Sequence, residues 1–361
     1  MSRRHALAVT ALAVCPLQAS ADRPSSPREP IMPPTIRLAT PHDVPEVVAL
    51  LTEDAKQRSA LDPLLWRIAP DAQARIERGI GAALQRTEAP ARELWLVAEH
   101  SDRIVGIMHA MKVPVPPIYV GGGPGLLLDD CFISADAPPT TVEALLVATE
   151  TALTTAGPAL LVASCPAAGP LRPLYERHGY EPVTLYMAKH GFSSGALPRG
   201  VRPAGAEDVP GIVTLSAEHR RTLVQVNSRF WHIHQDADTR FDGWMRRSLT
   251  LKDRDMFVAG EAGAVHGYAI AQPISPLLVP APHEIAAIGV IDDFYHEDFA
   301  AVSAMSNGGS NGANLLAAAE SAFARRGVDS TLVVCPAGWS SKVSLLEQRG
   351  YRTAKLWMLK R

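Results

Sequence analysis

The sequence predicts an α/β protein made of two tandem domains of one fold, each a mixed, mostly antiparallel twisted sheet flanked by helices. Three observations carry this. Trp66, Ile68, Asp71, Ala72 and Arg75 recur as Trp231, Ile233, Asp236, Ala237 and Arg240, each 165 positions later. Arg37, Asp43-Val44-Pro45 and Glu53 recur at the same offset as Arg202, Asp208-Val209-Pro210 and Glu218, so the match runs without a gap from about position 36 to 75. The offset then drifts through Gly106/Gly267, Asp129-Asp130/Asp292-Asp293, Glu150/Glu320 and Cys165-Pro166/Cys335-Pro336 to Gly179-Tyr180/Gly350-Tyr351. Loops changed length while the elements kept their order.

Each half opens with a short strand, Ile36–Leu38 or Val201-Arg202, followed by an Asp-Val-Pro that starts a helix. Proline is accepted in a first helical turn, and Val44, Val47, Val48 and Leu51 follow at helical spacing. Two strands come next, Leu94–Glu99 and Arg103–Met111, or Met256–Gly260 and Ala264–Gln272. Turn residues Ser101-Asp102 and Ala262-Gly263 make each pair a hairpin. A fourth strand carries the paired aspartates (Leu126–Phe132; Ile288–Tyr295). A long helix (Thr141–Ala156; Ala313–Arg326) and an apolar strand (Ala159–Ser164; Ser330–Val334) complete a parallel crossover. A further helix leads to Gly179-Tyr180 or Gly350-Tyr351. The closing strand carries Leu185, Met187 and Lys189, matched by Leu356, Met358 and Lys360. The Val113–Ile118 and Gly121–Gly125 stretches read as a stiff hairpin extension and loop.

The expected organisation is a leader over 1–35, one domain over 36–190, a linker over 191–200 and a second domain over 201–361. In the leader, Arg3-Arg4-His5, an apolar run to Leu17 and Ala19-Ser20-Ala21 follow the pattern of a secretory signal. Against export, the repeat begins only at Ile36, just after Met32, and Ser25–Pro34 is proline-rich without pattern. The expectation is a cytoplasmic protein, with export as the alternative if the leader is a true signal. No later run of 18 apolar residues predicts a membrane span.

The bulk numbers narrow the function. With 361 residues, 47% hydrophobic and 20% charged, two domains can each bury a core. A net charge of −2 and no basic stripe argue against binding nucleic acid through phosphate contacts. Four cysteines, at 15, 131, 165 and 335, show neither Cys-x-x-Cys nor zinc-type spacing, so no metal or disulfide framework is expected.

This element order, with Tyr175-Glu176-Arg177-His178-Gly179-Tyr180 near the end of the first copy, resembles the GCN5-related N-acetyltransferase (GNAT) family, and in particular its tandem members. The resemblance covers both halves. It implies transfer of an acetyl group from acetyl-CoA to an amine of a small molecule or peptide, without a metal. The oligomeric state stays open. An alternative is a catalytically degenerate tandem protein that binds or senses a ligand.

Acetyl transfer from a thioester needs donors for the cofactor pyrophosphate, a base for the amine proton and an acid for the departing thiolate. In the family, backbone N–H groups of a glycine-rich turn before the long helix hold the pyrophosphate. Counting back from Leu315-Leu316 puts Asn307, Gly308, Gly309, Ser310, Asn311 and Gly312 on that motif, with Gly312 on its second glycine. The corresponding first-half positions include Pro138 and Pro139, which lack N–H groups, and Thr140 with Glu143 reads as a capping box. Losing two charge-assisted donors at about 1.5–3 kcal/mol each removes much of a micromolar affinity of about −8 kcal/mol. The first half is therefore not expected to bind CoA in the usual way.

The family's acid, a tyrosine of the last helix, matches Tyr175, whereas the second half has Leu346 there. For the base, Asp293 aligns with an acidic residue common on the family's fourth strand, as does Asp130. Strict alternation puts Asp292 and Asp293 on opposite sides of the strand, so at most one faces the cleft. Tyr295 lies nearby and is a further catalytic candidate, as are His283, Glu284 and His296. Trp231, His232 and His234 border the acceptor pocket in this fold and are candidates for substrate contact. Trp231 is shared with the first half, whereas both histidines are peculiar to the second.

Overall fold

A computed structural model describes residues 32–85, 93–158, 160–303 and 310–361. Residues 1–31 of the leader, Asn307, Gly308, Gly309 and the side chain of Ser310 lie outside the described residues. The first repeat runs β1 (Thr35–Leu38), α1 (Val44–Leu61), α2 (Ala72–Gln85), β2 (Glu93–His100), β3 (Arg103–Lys112), β4 (Gly125–Ile133), α3 (Thr141–Thr155), β5 (Leu161–Pro166), α4 (Arg172–Arg177) and β6 (Tyr180–His190). The second runs β7 (Val201–Pro203), α5 (Val209–Val226), α6 (Ala237–Ser248), β8 (Asp255–Glu261), β9 (Ala264–Pro273), β10 (Ile288–His296), α7 (Ser310–Arg325), β11 (Ser330–Pro336), α8 (Ser340–Gln348) and β12 (Arg352–Lys360).

The sequence pattern assigns no element at α2 or α6. The repeated Asp71 and Arg75 form an i,i+4 ion pair at 2.6 Å on the first turn of α2, and Ile76 and Ile80 bury its inner face. The β2–β3 turn has Ser101 and Asp102 both in the left-handed region, at φ 51° and 58°, as a two-residue hairpin loop requires. On one face of the first-repeat sheet, α1 and α2 pack Val47, Leu51, Ile76 and Ile80 against Trp95, Val97 and Ile107. On the other, Leu145, Leu146 and Leu153 of α3 pack against Leu94, Leu96 and Met108.

All twelve strands form one sheet, ordered β1-β2-β3-β4-β5-β12-β6-β11-β10-β9-β8-β7. The closing strands are therefore exchanged. β12 of the second repeat pairs with β5 of the first, β6 of the first pairs with β11 of the second, and β12 and β6 pair with each other at the centre. Two equivalent latches hold the exchange. Lys189 of β6 donates to Glu320 of α7 at 2.9 Å, and Tyr351 donates to the same carboxylate at 2.8 Å. Lys360 of β12 pairs with Glu150 of α3, to which Tyr180 donates at 2.8 Å. The repeated Glu, Gly-Tyr and closing lysine are thus one structural unit used twice.

Two other repeated sets are also structural. Arg37 reaches Asp43 with both terminal nitrogens, at 2.7 and 2.8 Å, and Arg202 reaches Asp208 in the same way at 2.7 and 2.6 Å, tying the first strand to the first helix. The Trp-x-Ile segment of each repeat receives the β-hairpin arm of the other. Tyr119 bridges Ile233, with Val120 N donating to His232 O at 2.8 Å and His234 N to Ile118 O at 3.0 Å. His283 bridges Ile68, with Ala69 N donating to Pro282 O at 2.8 Å and Glu284 N to Arg67 O at 2.8 Å. The repeated arginines clamp these arms, Arg240 donating to Pro117 O at 2.8 Å and Arg75 to His283 O at 3.3 Å. The stretch read as a hairpin extension is an inter-repeat arm.

Candidate functional site

In each repeat the parallel strands of the crossover pair only briefly and then diverge. β4 pairs with β5 over Gly125–Leu127, and β10 with β11 over Ile288–Ile291. The paired aspartates sit where the divergence begins, at a β-bulge. Between the pairs Met108/Cys131 and Ala110/Leu127 the register of β4 shifts, and between Ile291/Ala271 and Phe294/Ala269 residues 292 and 293 oppose Ile270 alone. A bulge interrupts strict alternation here, so the partners of each carboxylate, more than the pattern, describe its surroundings.

In the first cleft every acid is occupied. Asp129 receives Lys355 of the exchanged strand β12 at 2.5 Å, both side chains being 1% exposed. Lys355 also donates to Leu278 O at 2.7 Å and lies 5.8 Å from the Tyr186 ring. Arg58 pairs with Asp54 at 2.6 Å, donates to Asp129 O at 2.6 Å and lies 3.2 Å from His283. Burial pushes Asp54 up to about 7 in spite of Arg58. Asp130 lies 3.1 Å from His109, which is stacked on Trp95 and 3.6 Å from Glu93. Burial alone would lower His109, yet Asp130 and Glu93 hold it above its ordinary value.

The second cleft keeps one carboxylate open. Tyr268 donates to Asp293 at 2.8 Å and His219 lies 3.5 Å away. Burial would raise Asp293, but the hydrogen bonds from His219 and Tyr268 outweigh it and hold the group below the ordinary carboxylate range. His219 itself is pushed down to about 4, first by burial and then by Lys342, so at neutral pH it is uncharged. Asp292 is exposed and has no hydrogen-bond or ion-pair partner among the described residues. Desolvation, then the adjacent Asp293, pushes it up to about 6. Tyr119 of the first-repeat arm has its ionisation opposed by burial and then by Asp293.

The exchange accounts for the contrast. Lys355 stands opposite Pro166 in the ladder, and Thr184 of β6 stands opposite Pro336, the equivalent proline. The first cleft thus receives a lysine from its exchanged strand and the second a threonine.

Beyond the aspartates the wedge between the diverging strands is filled differently in each half. In the first, Tyr175 is buried among Cys131 and Cys165, and its hydroxyl has no partner among the described residues. In the second, Lys342 of α8 crosses the wedge and donates to Phe294 O at 2.7 Å, with Phe294 and Trp339 rings 5.3 Å away. Lys342 is completely buried, which lowers its affinity for a proton. It lies one helical turn before Leu346, so the same face of α8 meets the wedge.

The start of each long helix also departs from expectation. Asp298 accepts from Gly312 N at 3.4 Å, bringing a carboxylate from outside the turn to the start of α7. Thr140 has helical angles, φ −81° and ψ −7°, and makes no side-chain cap, so the expected capping box does not form. Glu143 instead lies 3.3 Å from His178. A cap needs an extended residue, and Thr140 is already inside the turn.

Of the residues singled out from sequence, Asp293 and Tyr295 share the second cleft. Tyr295 is buried, donates to Glu218 at 3.3 Å and stacks on His219. Trp231 joins them through Tyr119, 5.2 Å from its ring. His232 is exposed and engaged through its backbone, while His234 Nδ1 accepts from Asp236 N at 3.0 Å. Tyr175 stands in the other cleft, so the three catalytic candidates do not come together. Sequence reasoning missed Lys342, Lys355, Thr184 and Tyr119, and ranked Asp293 above Asp292. The signal for two of them was visible, since Thr184 and Lys355 break the match between otherwise similar closing strands. Among the described residues no group of three or more His, Cys, Asp or Glu could hold a metal, and no helix is long and apolar enough to cross a membrane.

No protein-family model matches the chain, and no curated protein matches it. Solved structures do. A GCN5-related N-acetyltransferase from Sphaerobacter thermophilus is similar over 90% of this chain and 94% of its own, with TM-score 0.51 and 15% identity. A tandem GNAT protein from the clavulanic acid biosynthesis pathway, solved without AcCoA, is similar over 90% of this chain and 97% of its own, with TM-score 0.48 and 14% identity. A PaiA N-acetyltransferase from Thermoplasma acidophilum, in complex with coenzyme A, covers 42% of this chain and 91% of its own, with TM-score 0.33 and 13% identity. This chain has the GCN5-related N-acetyltransferase fold, built from two repeats.

Proposed function

We propose that the protein transfers an acyl group, acetyl being the simplest, from acyl-CoA to an amine, and that the second cleft performs the transfer. One observation carries this reading: Asp292 is open, unpaired and pushed up to about 6, whereas its counterpart Asp129 is neutralised by Lys355. A carboxylate with that proton affinity is charged at neutral pH and suited to accept a proton from an ammonium.

Two donor groups suit the cofactor. Gly312 N–H opens α7, and its 3.4 Å bond to the half-exposed Asp298 is long, so an anion taking that donor displaces a weak contact. Lys342 donates to Phe294 O and places a buried cation in the wedge. Acyl-CoA, when bound, supplies the acyl group activated as a thioester. Asp292 takes one proton from the acceptor ammonium and passes it to water. Lys342 gives a proton to the departing sulfur, standing in for the tyrosine that Leu346 replaces, and the second proton shed by the nitrogen restores it. Tyr268 and His219 hold Asp293 charged beside Asp292, which keeps the Asp292 proton affinity high. Under this reading, 36–190 completes the acceptor side and 201–361 carries the transfer.

Calorimetry of the purified protein with acetyl-CoA tests it. Binding is expected, and Gly312→Pro, which removes the N–H donor, is expected to weaken it. Absence of binding, or binding unchanged by Gly312→Pro, would overturn the reading.

A further inference from the structure

At the seam between the repeats lies a cavity of about 630 Å³, within the size range of small-molecule sites. The start of β12 (Arg352, Ala354), the end of β6 (Ala188, His190) and the segment after α1 (Asp62, Trp66) line it. The seam has a second, corresponding place. β6 and β12 pair antiparallel, with Arg352 opposite Ala188 and Glu181 opposite Leu359, and with one extra residue in each strand, at Ala354 and at Val183. Ala354 therefore answers to Val183, Ala188 to Leu359 and Arg352 to Glu181, each 171 positions apart.

The two places are filled differently. Val183 and Leu359 are buried with Leu126, Leu128 and Val162, Phe230 packs against them, and Glu181 pairs with Arg361. On the cavity side the same two apolar places are alanines, which fill less volume. His190, the counterpart of Arg361, lies 2.9 Å from Asp62 and 2.9 Å from the Ser330 hydroxyl. Asp62, the acid of the lining, also accepts from the N–H groups of Leu64 and Leu65. Arg352 stands where the other side has an acid, is exposed, and has no hydrogen-bond or ion-pair partner among the described residues.

We infer that the seam cavity binds a small monocarboxylate with an apolar body, its carboxylate on Arg352 and its body against Trp66, Ala188 and Ala354. A guanidinium matches a carboxylate with two parallel hydrogen bonds, a geometry that an ammonium ligand cannot use. Leu61, also in the lining, is 46% exposed and offers apolar surface that such a body covers. The inference goes beyond the acyl-transfer reading, since neither Asp292, Asp293 nor Lys342 lines this cavity.

Calorimetry of the full chain with 4-phenylbutyrate, 4-phenylbutylamine and inorganic phosphate tests it. 4-Phenylbutyrate is expected to bind at least about tenfold more tightly than the other two. Arg352→Glu puts the acid of the corresponding place on an exposed position and is expected to weaken 4-phenylbutyrate by at least about tenfold. Ala188→Leu with Ala354→Val copies the filled place and is expected to weaken it as much. Should that double variant fail to fold in a thermal melt, Arg352→Glu and the ranking of the three ligands still decide. The inference is overturned if 4-phenylbutyrate does not bind, or if the amine or phosphate binds as tightly. Unchanged binding by Arg352→Glu, or by a folded double variant, overturns it as well.

Discussion

The two clefts share a backbone and differ in what fills them. In the first, Lys355, Arg58 and His109 meet Asp129, Asp54 and Asp130 inside the protein. In the second, Asp293 is held by Tyr268 and His219 and Asp292 is left open. Satisfied charges rigidify a site, while an exposed carboxylate without a partner is free to take one from outside the chain. The comparison teaches that a duplicated fold can neutralise, within the chain, an acid in one copy and leave an acid without a partner in the other.

The largest expected effect tests the open side. Asp292→Asn should lower kcat/KM by about 10²–10⁴-fold, the usual contribution of a positioned base, with little change in folding because the side chain is exposed. Asp129→Asn should do the reverse, and steady-state kinetics beside urea denaturation separates the two. Equal effects of both on turnover would break the comparison. Lys355→Met leaves Asp129 buried and uncompensated and should cost about 3–5 kcal/mol in urea-induced unfolding, whereas removing an exposed ion pair costs about 0–1 kcal/mol. A loss of less than 1 kcal/mol would mean that the lysine does not neutralise the first cleft.

Lys342→Met keeps the length of the side chain and removes the proton. It should lower kcat about 100-fold with near-normal stability, since an apolar replacement of a buried charge is often neutral. A variant that loses acetyl-CoA affinity with unchanged kcat would make Lys342 a binding group instead. The smallest effect is on the pH profile. The working form of Asp292 is the carboxylate, which is populated above its proton affinity of about 6. The rate kcat/KM should fall about tenfold per unit as pH drops below 6 and level off above it, and Asp292→Asn should remove that inflection. An inflection near 4 in the unaltered protein would move the assignment back to an ordinary, fully solvated carboxylate.

Much of the fold was legible because the repeat recorded it. Arg37 and Asp43, or Glu150 and Tyr180, recur as pairs since each pair makes one contact in each copy. The exchange of closing strands was not legible, because an alternating pattern predicts a strand and a buried face without saying which copy supplies its neighbour. Asp293 was ranked above Asp292 because it aligns with an acidic residue common on the family's fourth strand, and such an alignment does not show that Tyr268 and His219 already occupy it. Asp298, in a short turn after β10, reaches Gly312 at the start of α7, a contact that no spacing in the sequence marks. Lys342 was passed over for a related reason. The wedge faces α8, far along the chain from the turn where a cation was sought, and a lysine within a short helix carries no mark of burial.

The central pairing of β12 with β6 also bears on how the chain acquires its shape. β12 follows every other strand in sequence, yet it lies between β5 and β6, so the middle of the sheet has a gap until it arrives. Each repeat can assemble its outer strands early from near neighbours, while the seam waits for contacts between segments nearly two hundred residues apart, such as Cys165 with Leu356. Long-range closure of this kind is slow. It leaves β5 with an unpaired edge in the meantime, so a chaperone or a second nascent chain would find its opening there.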